Sequence, residues 1–282
     1  MANEVLKRAV VVVVLSVVAL VSRTRAQDEG AKERRSEFMR ERLEEFQIAP
    51  PDGAPLPHTE KAVLRFSNPV RDSSSDGTMY LWLDEGVPAV VGTLWIRANG
   101  DFGYDFASLH GGRLECARKG TMIWTPKSGA HVRKVLPKAP EASDSPRLRL
   151  AQMRRVARRF QGHIGLWPKE GTDELRLLTQ PVYRFASKVR GIVDGAVFAF
   201  AQANDPEMLL VLEIVEGAGG SGRAWRYTLA RTTSVKVSAE LDGATVWSVK
   251  GYGYLRHSKT DAYVEGMDKR AFKSRERKTE SR

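Results

Sequence analysis

One nine-residue pattern occurs twice in this 282-residue chain, and it limits the possible folds more than any other feature. Residues 63–71 read VLRFSNPVR and residues 182–190 read VYRFASKVR, so five of the nine positions are identical. Each copy is followed by an Asp-Gly pair and a long apolar run. A chain that repeats a unit in this way is expected to build two similar halves.

The similarity extends well beyond the motif. Residues 76–96 and then residues 102–126 align without a gap with later stretches of the chain, so that Trp124 corresponds to Trp247. The alignment shifts only where the composition is loop-like. This is the behaviour expected of two related units in which strands keep their register and loops absorb insertions.

Apolar patterning inside the repeats indicates β-strands. Residues 78–83 are apolar on both alternating faces, which is typical of a central strand, and large and small side chains alternate over 102–106. We therefore predict an α+β fold, mainly antiparallel β, with two pseudo-repeats at 63–126 and 182–249. Each repeat is expected to contain about four to six strands.

Between the repeats, residues 146–161 are expected to form a helix. Pro146 favours the first turn of a helix, and apolar residues recur at helical spacing from Leu150 to Phe160. Arginines occupy much of the remaining surface. The pattern predicts an amphipathic helix that bridges the two repeats and covers an apolar face.

The arginines of this predicted helix are the main candidates for binding a partner. Arg154, Arg155, Arg158 and Arg159 form the predicted surface for an anionic partner. The alternative is a solvated helix face whose arginines pair with nearby Asp and Glu. The partners that fit this arginine-rich helix are lipid head groups contacted peripherally, an acidic polysaccharide or an acidic protein.

The first 26 residues have the pattern of a secretory signal peptide. Lys7 and Arg8 precede an apolar run at 9–21, and small residues follow it. We predict export to the periplasm or the cell exterior, with an uncleaved N-terminal anchor as the alternative. Export argues against nucleic acid as the physiological partner.

The remaining segments are expected to flank a single duplicated domain at 61–255. Residues 27–60 are predicted to contain a charged helix over 30–47 and a proline-rich linker. Residues 256–282 are predicted to be a basic, disordered tail, because that segment is rich in charge and poor in apolar residues. Both flanking segments are expected to lie outside the core.

The repeated motif places an Arg and an Asp before the same strand in each half. These repeated pairs are Arg65 with Asp76 and Arg184 with Asp194. We interpret them as internal ion pairs that fix the starts of two strands. The alternative is a pair of equivalent sites for an acidic ligand.

Aromatic residues at matching positions of the two repeats allow two interpretations. Tyr80, Trp82, Phe198 and Phe200 are expected to share one side of a sheet. Strand aromatics usually belong to the core. The alternative is an aromatic face that carries an apolar ligand.

No catalytic, cofactor or metal site is predicted. The five histidines are scattered without metal-ligand spacing, and Cys116, the only cysteine, is interpreted as a buried structural residue. We therefore predict an exported, non-enzymatic binding or structural module of the cell envelope. A carrier of an apolar ligand is one alternative, and a hydrolase that uses acids such as Asp105 or Glu213 is another.

The V-x-R-F repeats, the Asp-Gly-apolar runs and the VWSV sequence that ends the second repeat resemble exported bacterial proteins of unknown function. Such proteins have one domain of this kind per chain, and the resemblance covers roughly residues 60–255. It implies export but no activity and no cofactor.

Overall fold

The structure is a computed structural model, and it describes residues 29–68, 74–129, 131–166, 170–217, 222–252 and 258–280. The predicted signal peptide lies outside the described residues. Strands make up 51% of the described residues and helices 15%, and the strands pair in antiparallel fashion. The prediction of a mainly antiparallel β fold is therefore confirmed.

The described residues contain three helices: α1 at 29–43, α2 at Pro146–Ala157 and α3 at Ala271–Glu280. The first eight strands are β1 (Phe46–Ala49), β2 (Leu64–Asn68), β3 (Ser74–Asp84), β4 (Val87–Arg97), β5 (Phe102–Ser108), β6 (Glu115–Arg118), β7 (Thr121–Trp124) and β8 (His131–Val135). The other nine are β9 (Phe160–Gly165), β10 (Thr172–Leu177), β11 (Tyr183–Ser187), β12 (Ile192–Gln202), β13 (Asp205–Glu216), β14 (Arg223–Arg231), β15 (Val237–Leu241), β16 (Ala244–Val249) and β17 (Tyr263–Asp268).

The strands form three sheets. A five-stranded sheet has the order β17-β5-β4-β3-β2, and a small sheet has the order β1-β6-β7. The largest sheet has nine strands in the order β16-β15-β9-β10-β12-β13-β14-β8, with β11 paired to β12. Because β10 bridges β9 and β12, the strands of the second half are joined into one nearly closed sheet.

Tight hairpins connect several neighbouring strands. Lys119 and Gly120 join β6 to β7 with φ of 49° and 79°, which is the type I′ geometry of a two-residue hairpin. Asp242 and Gly243 join β15 to β16 in the same way, with φ of 50° and 80°. Glycine suits the second position because it adopts positive φ without steric cost.

Two edge strands cross from one half of the chain to the other. β8 follows β7 along the chain, but it pairs with β14. β17 follows β16, but it pairs with β5 over six consecutive residues. Each half therefore supplies the edge strand of the other half's main sheet.

The cores lie between four layers. Leu81 and Val91 of the five-stranded sheet pack in one cluster with Val197 and Val211 of the nine-stranded sheet, so these two sheets bury a common interior. The opposite face of the five-stranded sheet packs against α1 and the β1-β6-β7 sheet. The opposite face of β12–β14 packs against α2, β9 and β15.

The N-terminal part of the described chain differs from its prediction. The helix expected over 30–47 ends at residue 43, and residues 46–49 form β1. Phe38, Met39 and Ile48 are at most 2% exposed and belong to the core, not outside it. α1 docks on the core through buried residues at helical spacing. β1 was not predicted, because a strand of four residues is too short to show a clear alternation of buried and exposed positions.

The segment between the repeats also differs. The helix predicted over 146–161 ends at Ala157, and Phe160 begins β9. α2 contacts β12 and β13, so it covers one face of the second half and does not bridge the two halves. Residues 131–135, which lie between the first repeat and α2, form β8.

The C-terminal segment contains regular structure where disorder was predicted. It contributes β17 and α3, and Val264 and Phe272 are buried in the same core as α1. The apolar residues that order it are few, but they coincide with an open strand edge on β5. Composition alone does not reveal such a long-range partner.

Candidate functional site

The ion pair predicted between Arg184 and Asp194 is present. The guanidinium of Arg184 donates to both carboxylate oxygens of Asp194, over 2.9 and 2.6 Å. Arg149 of α2 adds a third hydrogen bond of 2.8 Å, and both Arg149 and Asp194 are buried. Burial would raise the pKa of Asp194, but the two arginines outweigh it and hold that pKa below its ordinary value.

The corresponding pair in the first half is arranged differently. Asp76 forms its ion pair with Arg35 of α1. Arg65 is exposed and lines the same shallow groove as Asp76. The helical arginines, Arg35 and Arg149, were not singled out as partners of these acids. Their sequence signal is weak, since a helical Arg usually indicates a solvated face.

The four aromatic residues proposed for an apolar ligand are core residues. Tyr80, Trp82, Phe198 and Phe200 are all at most 3% exposed, and each belongs to a hydrophobic cluster. None of them lines any of the five best-defined cavities among the described residues. Their burial fits the structural interpretation, and the carrier alternative stays a prediction.

The arginines of α2 separate into two groups. Arg159 binds Asp242 through two hydrogen bonds of 3.0 and 2.7 Å, and Arg154 donates to Gln180. Arg155 and Arg158 are exposed. Within the described part of the chain their side chains have no ion pair. Of the four predicted residues, two are therefore free to meet a partner.

The buried cysteine is chemically inert. Cys116 is 0% exposed, and burial raises the pKa of its thiol to about 12. Because only the thiolate is a strong nucleophile, the side chain has no catalytic use at neutral pH.

A polar cavity of about 120 Å³ lies where the five-stranded sheet meets the start of β13 and the segment after β14. We call it the acidic cavity, because four carboxylic acids line it. They are Asp105 of β5, Glu265 of β17, and Asp205 and Glu207 of β13. Its other lining residues are Phe66, Thr93, Trp95, Arg97, Thr232, Thr233, Ser234 and Tyr263.

Strand register brings these acids together. Glu265 is the direct cross-strand partner of Asp105, and Asp105 is the partner of Thr93 on its other side. Antiparallel partners have Cβ atoms about 5 Å apart, so the two carboxyl groups are neighbours. This cluster was not predicted, because the segment that forms β17 was expected to be disordered.

Asp105 is one of the deeply buried acids of the cavity. It is 3% exposed, and burial raises its pKa well above the ordinary range, although a hydrogen bond with Thr93 opposes the effect. Its Oδ1 atom is buried without a hydrogen-bond partner among the described residues. A buried acceptor in this condition costs free energy unless a ligand or water satisfies it.

One arginine holds the segment that borders the cavity. Arg231 donates to the carbonyl oxygens of Thr233, at 2.6 Å, and Lys250, at 2.9 Å, and its guanidinium lies 5.2 Å from the ring centre of Tyr263. Burial lowers the pKa of Arg231. Thr232 is fixed in turn by its hydroxyl, which donates to the carbonyl of Pro206 over 2.6 Å.

Glu213, the other acid considered for catalysis, has a different environment. It is 3% exposed and lies 3.5 Å from Arg226 and 3.9 Å from Arg133. Burial raises its pKa, and the two arginines oppose that rise. The acidic cavity does not include it. Asp105 and Glu213 are therefore not brought together.

Comparisons with known protein families, with curated proteins and with solved structures find no match for this chain. Across the described ranges, no helix is both long and apolar enough to span a bilayer. The same residues contain no group of three His, Cys, Asp or Glu side chains arranged to hold a metal ion.

Proposed function

We propose that this protein is a non-enzymatic binding module that attaches to an anionic surface through the exposed side of α2. One observation carries the proposal. Arg147, Arg155 and Arg158 are all exposed, and within the described residues their side chains form no ion pair or hydrogen bond. Three unneutralised cations, two on this short helix and one directly after it, create a local positive potential.

The composition of α2 strengthens this potential. The helix has no acid among its twelve residues, so no i,i+4 pair neutralises its arginines. Leu148 projects from the same helix with 56% of its surface exposed. Cations next to an exposed apolar residue match the interface of an anionic lipid layer, where charge and apolar burial add.

The expected location fits this partner. An exported protein meets lipid head groups and acidic polysaccharides before it meets nucleic acid. Export itself remains a prediction from residues 1–26. The lipid surface is our first choice, because Leu148 would gain nothing from a polysaccharide.

The test is co-sedimentation with vesicles at physiological salt. The triple variant R147Q/R155Q/R158Q should lose binding to vesicles with anionic lipid, and the wild type should not bind neutral vesicles. The matched control K61Q/K127Q/K250Q removes the same charge from exposed lysines elsewhere and should retain binding. Equal loss in both triple variants would contradict a specific role of α2. If the protein binds acidic polysaccharide but not anionic vesicles, the polysaccharide takes the place of the lipid as the proposed partner.

Hydrolysis by a pair of carboxyl groups is a second candidate function. The observation that favours it is the cross-strand pairing of Asp105 with Glu265 inside a cavity. The carboxyl groups of retaining glycosidases are about 5 Å apart, and cross-strand partners hold their Cβ atoms at a similar separation. A screen of small glycoside and ester substrates tests it. Activity that survives in both D105N and E265Q would eliminate this pair as catalytic residues.

We also propose that the chain is a tandem duplication whose unit is larger than the 63–126 repeat. Strand pairing supports this. β2-β3-β4-β5 and β11-β12-β13-β14 follow the same order, and β1-β6-β7 matches β9-β15-β16. α1 precedes β1, and α2 precedes β9 in the same way, so the proposed unit begins with a helix.

Irregular features recur at matching positions, which is stronger support than regular strands give. The register shifts between Trp82 and Leu83 on β3, and likewise between Phe200 and Ala201 on β12. It shifts next to Cys116 opposite Trp124, and next to Ala239 opposite Trp247. β-Bulges are specific devices, so repeated bulges argue for common descent.

The ion pairs between helix and strand recur as well. Arg35 of α1 binds Asp76, and Arg149 of α2 binds Asp194. The acids are the aligned residues of the two repeats, and each arginine lies eight residues before the end of its helix. The duplicated unit therefore includes the contact that docks the helix on the sheet.

A further inference from the structure

We propose that the acidic cavity binds a small organic cation, an ammonium or guanidinium group on a short alkyl chain. Four carboxylic acids line the cavity, whereas Arg97 is the one basic residue among its described lining residues. A cluster with this excess of acid attracts a positive ligand. The site is separate from α2 and does not depend on the surface proposed there.

The unsatisfied oxygen of Asp105 is the second, independent indication of a ligand. Asp105 is only 3% exposed, and its Oδ1 atom receives no hydrogen bond from any described residue. Ammonium and guanidinium groups carry several N–H donors, which is the chemistry this acceptor lacks. Thr93 already occupies the other side of the carboxyl group.

Size and lining select a group of few atoms. The volume is about 120 Å³, and an engineered apolar cavity of about 150 Å³ in another protein admits benzene. Phe66, Trp95 and Tyr263 supply aromatic surface beside the acids. Cations bind well against aromatic faces once they have left water. A short alkylammonium or alkylguanidinium satisfies both the acids and the rings.

A metal ion fits this cavity less well. Metal binding requires several ligand atoms to converge on one point at about 2.0–2.6 Å. No three acids of the described chain are grouped in that way. A larger cation can reach acids that are spread over β5, β13 and β17.

Binding should release a proton. The groups that face Asp105 are Thr93 on β4, Glu265 and Tyr263 on β17, Asp205 and Glu207 on β13, and Arg231 on β14. Burial and the three acids raise the pKa of Asp105, so the empty cavity favours the neutral carboxyl group. A cation favours the ionised form. Affinity should therefore increase as the pH rises through the raised pKa and become constant above it.

The experiment is calorimetric titration of the folded full chain with millimolar n-butylammonium and methylguanidinium. Methylurea and n-butanol are neutral controls of similar shape, and acetate is the anionic control. At least one cation should bind, all three controls should not, and affinity should rise with pH. Equal binding of cation and neutral analogue, binding of acetate, or no binding of either cation would overturn the proposal.

Two variants assign the binding to the cavity. D105N should weaken cation affinity about tenfold, which corresponds to one charge-assisted hydrogen bond, and should remove its pH dependence. E213Q neutralises a buried acid outside the cavity and should bind like the wild type. D105N should also melt at a higher temperature at neutral pH, because it removes a buried ionisable group. Unchanged affinity in folded D105N would place the cation elsewhere and refute the site.

Discussion

A single carboxylate, Asp194, joins three parts of the second half. It lies on β12 and receives hydrogen bonds from Arg184 on β11 and from Arg149 on α2. Charges removed from water in this way are costly to separate, because the remaining partner stays buried without compensation. Asp194 is thus a structural residue, as its sequence position suggested, and its second arginine docks the helix.

Asp194→Ala should lower the free energy of unfolding by about 3 kcal/mol, because Arg149 would remain buried and unpaired. Denaturant unfolding at neutral pH measures this change. The ion pair also has a pH signature. The pKa of Asp194 is lowered by folding, so its contribution is complete above its ordinary value of 3.8 and is lost as the pH falls through the folded pKa.

Asp242→Ala is the matched control for this prediction. It removes the bidentate partner of Arg159, but both side chains reach solvent, so water replaces the lost interaction. We expect little change in unfolding. A comparable loss in both variants would show that burial does not decide the strength of these pairs.

At the scale of residues, an ion pair could be predicted from the sequence only when its two members lie close together in the chain. Arg184 and Asp194 are ten residues apart and were paired correctly. Arg149 is 45 residues from Asp194, and its place in an Arg-rich helix indicated solvent. Asp105 was one acid among many, since its cross-strand partner Glu265 lies in a segment that composition assigned to disorder.

At the scale of elements, each half contains a glycine that is required by a neighbouring ring. A Cβ atom at Gly77 would lie 2.3 Å from the ring of Phe66, and one at Gly195 would lie 2.4 Å from the ring of Phe185. The phenylalanines belong to the repeated V-x-R-F motif, and the glycines to the repeated Asp-Gly pairs. The motif therefore encodes a ring that covers bare backbone on the adjacent strand.

Gly77→Ala and Gly195→Ala should each destabilise the protein by about 1–3 kcal/mol, because the added methyl group overpacks the ring. Thermal unfolding of both variants tests this. Pairing Gly77→Ala with Phe66→Leu should restore part of the loss, since the smaller side chain frees space. If the double variant is no more stable than Gly77→Ala alone, the ring contact is not the cause.

Long strands were predictable and short ones were not. β3, β4, β12 and β13 have eleven or twelve residues and clear apolar runs, so their existence as strands could be predicted. β1 has only four residues, β8 lies in the connection after the first repeat, and β9 begins inside the segment that was predicted to be a helix. Such strands form because a sheet edge is available, and a linear pattern does not contain that information.

At the scale of the whole molecule, the two halves are joined by exchanged strands. β8 of the first half completes the sheet of the second beside β14, and β17 completes the sheet of the first beside β5. A sheet without its edge strand exposes unpaired backbone groups and invites aggregation. Neither half is expected to be stable without the other.

Division of the chain between residues 140 and 141 tests this exchange. The cut lies in the connection between β8 and α2, so each fragment retains the strand it donates. Co-expressed fragments should assemble and co-purify through a tag on one of them, whereas each alone should be insoluble. A soluble, folded monomer of either fragment would refute mutual dependence.

The position of β17 has a consequence for the order of events during biosynthesis. β17 is translated long after β5, yet it supplies both the strand that pairs with β5 and the last wall of the acidic cavity. The five-stranded sheet of the amino-terminal half therefore stays incomplete until residues 263–268 have been synthesised. Such late closure would suit the export predicted from residues 1–26, because a chain is translocated more easily before it folds.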